Sequence, residues 1–230
     1  GSDGVDTIFG NEGDDWIEHG MADGSAGENF DTRGLDSIIG HDVFMGDSVS
    51  DRMLGEGGDD IMVGNGGRGD RYIGASGFDW ANYQHPTLAA EADLNLRAFN
   101  ETPVPLSPSS VLARFESVEG LSGSQFGDIL RGDDADAAVI ASSGFTGSVM
   151  NETGIALING MQQLLNDLTP GPANVTSFGA GNIILGGDGS DILEGRGGDD
   201  MIDGDLALNV RISVRAGHDA NGPTGAEVST

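Results

Sequence analysis

The sequence predicts a mainly β protein, a solenoid of short stacked strands joined by glycine-rich turns, and three observations carry that expectation. A nine-residue unit of the form Gly-x-x-Gly-x-Asp-x-apolar-x recurs in one register: GSDGVDTIF from Gly1, GNEGDDWIE from Gly10, GEGGDDIMV from Gly55, GASGFDWAN from Gly74, GGDGSDILE from Gly186 and GRGGDDMID from Gly195. The sixth positions are aspartates throughout (Asp6, Asp15, Asp60, Asp79, Asp191 and Asp200), and the eighth are Ile8, Ile17, Met62, Ala81, Leu193 and Ile202. Glycine supplies 40 of the 230 residues, a share that suits a turn-rich solenoid.

Each part of the unit has a physical reason. Glycine at positions one and four admits the positive φ values of a tight turn, which a side chain would resist. Such a turn presents its carbonyl oxygens, and a carboxylate two residues beyond the second glycine can join them. Hard oxygen donors in a set of about six to eight suit calcium. The last three residues form a short strand whose middle side chain points to one side, so stacked strands share a core.

The unit resembles the RTX family, the hemolysin-type calcium-binding nonapeptides of bacterial secreted proteins, with Gly186 to Glu194 the best match to the consensus GGxGxDxUx. The resemblance implies a parallel β-roll, in which successive units alternate between two sheets and units separated by one repeat lie side by side and share an ion. Aspartates about eighteen residues apart then become partners. Asn182 and Asp200 have that spacing, with asparagine implying a weaker site. Asp60 and Asp79 are one residue further apart, because the intervening GNGGRGDRYI, which offers Asp70, carries an extra residue. Degenerate units add Asp36 with Ile38 in TRGLDSII, Asp51 with Met53 in GDSVSDRML, and Asp128 with Leu130 in GSQFGDILR. Val49 and Phe126 stand where the second glycine belongs, which implies turns that keep the stacking and bind calcium poorly.

The fold expected along the chain is therefore a β-roll in two repeat blocks, with irregular linking coils and one inserted amphipathic helix. The first block covers 1–82, interrupted by polar insertions at 19–30 and around 40–45. Linking strands and a degenerate repeat cover 83–132, where ADLNLRAF alternates and TPVPLSPSS reads as a loop. An insertion covers 133–180. Within it a helix is expected over 154–168, capped by Thr153 and stopped by Pro170 and Pro172, its apolar face packing on the roll or covering an open end. The second block covers 181–204. LNVRISVRA then reads as one strand, and the tail beyond Gly217 as linker. The chain opens inside a repeat and reads as part of a longer protein.

Composition narrows the function. Formal net charge is −28, and all ten basic residues are arginine. Phosphate binding relies on clustered basic side chains, so nucleic acid and anionic lipid are unsuited partners. No run of eighteen apolar residues is present to span a membrane. The absence of cysteine removes disulfides and thiolate metal sites. His19, His41, His85 and His218 have no metal-binding spacing, and no catalytic serine elbow, zinc helix or phosphate loop occurs.

These features point to a non-catalytic calcium-binding region. The resemblance further implies a secreted, extracellular protein that crosses a type I secretion apparatus unfolded and folds on meeting calcium. Two rival readings stand beside it: a calcium-stiffened adhesin segment whose loops contact a cell surface, and part of a secreted enzyme. The second has its own resemblance. The stretch from Ala92 to Val214, with EGLSGSQFGDILRGDDAD, the helical insertion and the second block, is similar to the C-terminal calcium-binding region of bacterial secreted proteins that carry animal-type haem-peroxidase domains. These residues hold no haem-ligand arrangement of their own, so that resemblance implies peroxidase chemistry elsewhere in the parent chain, with possible contact to this region.

Overall fold

Residues 7–11, 16–18, 40–46, 51–55, 57–64, 69–84, 89–98, 113–142, 148–171, 173–210, 214–219 and 222–229 are described by a computed structural model of the chain. The first repeats give β1 (Thr7–Asn11), β2 (Trp16–Glu18), β3 (Val43–Gly46), β4 (Arg52–Leu54), β5 (Ile61–Val63), β6 (Arg71–Ile73) and β7 (Trp80–Asn82). The linking stretch gives β8 (Glu91–Asp93), β9 (Arg114–Glu116), β10 (Gly120–Ser122) and β11 (Ile129–Arg131). The insertion contains α1 (Ala137–Ser142), β12 (Met150–Asn151), α2 (Glu152–Leu157), α3 (Met161–Leu168) and β13 (Ser177–Phe178). The second block gives β14 (Ile183–Leu185), β15 (Ile192–Glu194) and β16 (Met201–Asp203), followed by β17 (Val214–Asp219) and β18 (Gly222–Ser229).

The architecture is a parallel β-roll. One sheet of seven strands runs β1-β3-β5-β7-β10-β14-β16; the opposite face runs β2-β4-β6-β9 and β15-β11-β8. Alternate repeats are neighbours, as Met62 pairs with Phe44 on one side and Ala81 on the other, and Ile184 with Ile202. Three-residue strands put the middle side chain inward, and these residues build the core: Phe44, Met53, Met62, Tyr72, Leu121, Leu130 and Ile184 are all fully buried. Tyr72 stacks on Phe115 at 5.4 Å between ring centroids, extending the column of core side chains through the linking coils.

The coils do not follow one another in strict chain order. β8 comes before β9 in the sequence, yet β9 lies beside β6 and β8 beside β11. A single kinked segment bridges them: Glu91–Asp93 pairs with β11, while Arg97 bridges to Phe115, and Ala98 donates its N–H to the Phe115 carbonyl. The linking stretch thus closes the second face between the two blocks.

Four expectations need correction. Residues 40–45 are not an insertion but a regular coil, with Asp42 before β3 and Phe44 in the core. The helix of 154–168 is two helices, separated at Ile158–Gly160, where Gly160 takes φ of 91° and begins α3. Asn151, not Thr153, caps α2, accepting the N–H groups of Thr153 and Gly154. Of the strand expected from LNVRISVRA, residues 208–210 are not strand, with Leu208 and Val210 bonding Asn82, Ser122 and Gln84, and 211–213 lie outside the described residues; the linker expected beyond Gly217 instead contributes to the antiparallel pair β17–β18. A further helix, α1, is capped by Asp136.

The insertion lies on the outer side of the seven-stranded sheet. Its base is closed by β12 pairing with β13, and Ile155, Met161, Leu164 and Leu165 pack with Trp80, Ile183 and Leu185. Phe78 meets Phe178 edge-on at 6.1 Å. Gly154 is demanded by close approach, since a Cβ there would collide with the Asp59 carboxylate.

Candidate metal centre

The turns at the two rims of the roll are built from the repeat itself. In the turn from Gly55 to Asp60, Asp60 directly precedes β5, and its Oδ1 accepts the N–H of Asp42 one coil away at 2.7 Å. The next coil repeats the bond, with Asp79 Oδ1 accepting the Asp60 N–H at 2.9 Å. Each carboxylate folds back over the first glycine of its own unit, so a Cβ on Gly55 or Gly74 would collide with Oδ2 of Asp60 or Asp79. The fourth position is equally constrained: Gly77 takes φ of 139° and lies against the Gly58 carbonyl, where no side chain fits. Turn stacks on turn, and carboxylate and carbonyl oxygens of neighbouring coils are drawn together.

Two ladders result. On the rim leading into the seven-stranded sheet stand Asp42, Asp60, Asp79, Glu119, Asn182 and Asp200, each directly before its strand. Asp79 donates its N–H to Glu119 Oε2 at 2.9 Å, and Asn182 donates to Asp200 Oδ1 at 2.8 Å. On the opposite rim stand Asp51, Asp70, Asp128 and Asp191. Asp51 N–H bonds Asp70 Oδ1 at 3.1 Å, and Asp128 N–H bonds Asp191 Oδ1 at 2.8 Å. Between these pairs Ala113 and Ala90 take the pre-strand positions, so the second ladder is interrupted in the linking coils.

Asp6, Asp15 and Asp36 lie outside the described residues. Every other expected site residue (Asp51, Asp60, Asp70, Asp79, Asp128, Asn182, Asp191, Asp200) stands at the end of a turn in one of the two ladders. Two acids in the same positions went unread in the sequence. Asp42 had a signal, because Gly40-His41-Asp42-Val43-Phe44 preserves the second half of the unit. Glu119 had none: its turn is only Ser117 to Glu119, and the longer glutamate side chain reaches what an aspartate reaches from a full turn.

The electrostatics of the first ladder favour a bound cation. Burial pushes the Asp79 carboxyl well above the usual carboxylate range, and the charges of Asp60 and Glu119 push it further. Burial likewise pushes Glu119 up to about 8, against the lowering effect of the Asp79 N–H. Asp200 is raised by burial, with Asp133 and Asp199 adding repulsion. Asp79 Oδ2 is buried and accepts no hydrogen bond, a costly state for a carboxylate left to itself.

Among the described residues no three acidic or histidine side chains converge on one point. Any cation seated here therefore draws most of its donors from turn carbonyls. An all-oxygen set of that kind suits calcium and excludes the softer metals that need imidazole or thiolate.

Comparison with known families agrees with this chemistry. The model of the RTX calcium-binding nonapeptide repeat matches in four copies, over residues 1–21, 36–70, 45–81 and 177–207. No curated protein and no solved structure matches the chain. The matched residues include the turns of both repeat blocks and omit the linking stretch and most of the helical insertion. Over those residues the chain carries RTX calcium-binding nonapeptide repeats.

Proposed function

We propose that this region is a calcium-dependent folding module of a secreted bacterial protein. In this reading Asp51, Asp60, Asp79, Asp191 and Asp200, joined by Asp42, hold calcium together with turn carbonyls, and Asp6, Asp15 and Asp36 do the same in their own units. The buried Asp79 Oδ2 without a hydrogen-bond donor carries the reading, because it lies over Gly74 within a stack of carbonyls, where a cation satisfies it. Calcium, when bound, supplies positive charge and a multi-oxygen coordination shell.

The chain's own residues account for the rest. Without a counter-ion the stacked carboxylates repel one another, and the glycine turns lose much backbone entropy on ordering. A ligand taken up only by the fold stabilises it by about 1.4 kcal/mol per site at tenfold excess over Kd, so several sites together decide whether the roll forms. The calcium-poor cytosol then keeps the chain unfolded for export through a type I secretion apparatus, and millimolar extracellular calcium folds it. Flow dialysis tests the binding: several calcium ions per chain, with dissociation constants between about 10⁻⁴ and 10⁻³ M typical of extracellular modules, are expected. Absence of uptake at millimolar calcium would overturn the proposal. Magnesium is expected to substitute poorly, since it demands a smaller octahedral shell and releases water reluctantly.

A further inference from the structure

We infer that the junction between the two repeat blocks is a metal-free clamp, in which protein hydrogen-bond donors and guanidinium groups stand where cations stand in the outer turns. The inference rests on the calcium reading above and adds a division of labour within the roll.

Asp128 shows the substitution most directly. Its Oδ2 accepts the Ser124 N–H at 2.6 Å, while its Oδ1 accepts the Ser124 hydroxyl at 2.8 Å and the Ala90 N–H at 2.7 Å. Both oxygens are thus engaged by the chain itself. Ser124 occupies the second place of its turn, where its hydroxyl also receives the Phe126 N–H at 3.0 Å and holds the loop that lacks the second glycine.

Asn182 makes the same exchange on the other rim. Its Oδ1 accepts the Asp133 N–H at 2.9 Å, and its Nδ2 donates to the Glu119 carbonyl at 3.3 Å. The amide therefore gathers a carbonyl oxygen as a cation would. It also lies over Gly132, so Gly132 and Asn182 form one repeat turn into which the helical insertion is spliced. Asp70, at the edge of this region, has its Oδ2 facing the Tyr72 hydroxyl at 3.2 Å.

Fixed positive charge completes the clamp. Arg196, in left-handed backbone with φ of 72°, grips both oxygens of Asp93 at 2.6 and 2.8 Å and donates to the Gly132 carbonyl at 2.9 Å. It ties the second block to β8. Arg97 reaches Asp133 at 3.5 Å and Glu116 at 3.9 Å, and Arg131 reaches Glu194 at 3.3 Å. At two positions of the second rim the carboxylate is gone, replaced by buried Ala90 and Ala113. The insertion adds an apolar layer that needs no metal, packing Leu165 and Phe178 on Trp80 and Ile183. Neutral donors, arginines and apolar burial thus hold the centre, while outer coils present carboxylates to stacked carbonyls.

Hydrogen exchange of the whole chain, read by peptide mass spectrometry in excess calcium and in excess chelator, tests this. In chelator, peptides within 40–64 are expected to exchange as an unstructured chain, whereas peptides within 89–98, 119–133 and 150–185 keep at least about tenfold protection. Equal loss of protection in all these peptides would overturn the clamp while leaving calcium-dependent folding intact. Unchanged protection everywhere would overturn the calcium reading and the clamp with it. The variant Asn182→Asp gives a second readout: flow dialysis is expected to show about one additional calcium per chain, and chelator is expected to strip protection from 119–133. An unchanged stoichiometry together with unchanged protection would contradict the role given to the Asn182 amide.

Discussion

The Asp79 carboxylate is buried between the charges of Asp60 and Glu119, and what relieves that arrangement decides how the rim behaves. Replacing it by asparagine is expected to weaken calcium binding about tenfold or more at the affected site, as read by calorimetric titration, because a charge-bearing donor is lost. Asp128→Asn is expected to leave calcium affinity nearly unchanged, since Ser124 and Ala90 already engage that side chain. Gly55→Ala drives a Cβ into the Asp60 carboxylate and is expected to cost about 1 to 3 kcal/mol of the calcium-loaded fold in denaturant unfolding. The raised carboxyls also fix the sign of the pH response. Glu119 holds its proton more tightly in the fold than in the unfolded chain, so its contribution to the metal-free structure is greatest at low pH. That contribution fades as pH rises from about 4.3, the unfolded value, through about 8. In chelator the remaining structure should therefore melt at a higher temperature at pH 5 than at pH 8. In calcium the order should reverse, because protons compete for the ligands. At this scale much was legible in the sequence, because position six of each unit can be located by counting from its glycines. Asp42 was hidden by Ser37 in place of the first glycine, and Glu119 by a shortened turn that leaves no period to count.

The elements divide between those the repeat dictates and those it does not. Three-residue strands with one inward side chain follow directly from positions seven to nine, and Phe44, Met62 and Leu121 occupy the core as that spacing requires. The helical stripe of the insertion was equally readable, but its break was not. Asn159-Gly160 allows left-handed backbone at Gly160, which ends one helix and starts the next without interrupting the apolar face. The terminal pair β17–β18 was missed because its sequence alternates too little, although Asn221-Gly222 is a hairpin signal. Leu165 is fully buried between α3 and the sheet, so Leu165→Ala is expected to cost about 2 to 5 kcal/mol in thermal unfolding with calcium present. A much smaller cost would mean that the insertion is only loosely seated.

The whole molecule joins a periodic part to an aperiodic one. Stacking of alternate repeats could be inferred from the eighteen- and nineteen-residue spacings, but the exchanged order of β8 and β9 could not, because it depends on non-local pairing of Arg97 with Phe115 and of Glu91 with Ile129. The same holds for the guanidinium of Arg196, which finds Asp93 across more than a hundred residues. At net charge −28 the assembled roll concentrates repulsion along its rims, and in the proposed function calcium uptake offsets it. Circular dichroism during a calcium titration of chelator-treated protein tests this most directly. The strand signal is expected to be weak in chelator and to rise cooperatively as free calcium approaches about a millimolar, while magnesium at the same concentration has little effect. A full strand signal in excess chelator, unchanged by added calcium, would contradict the account.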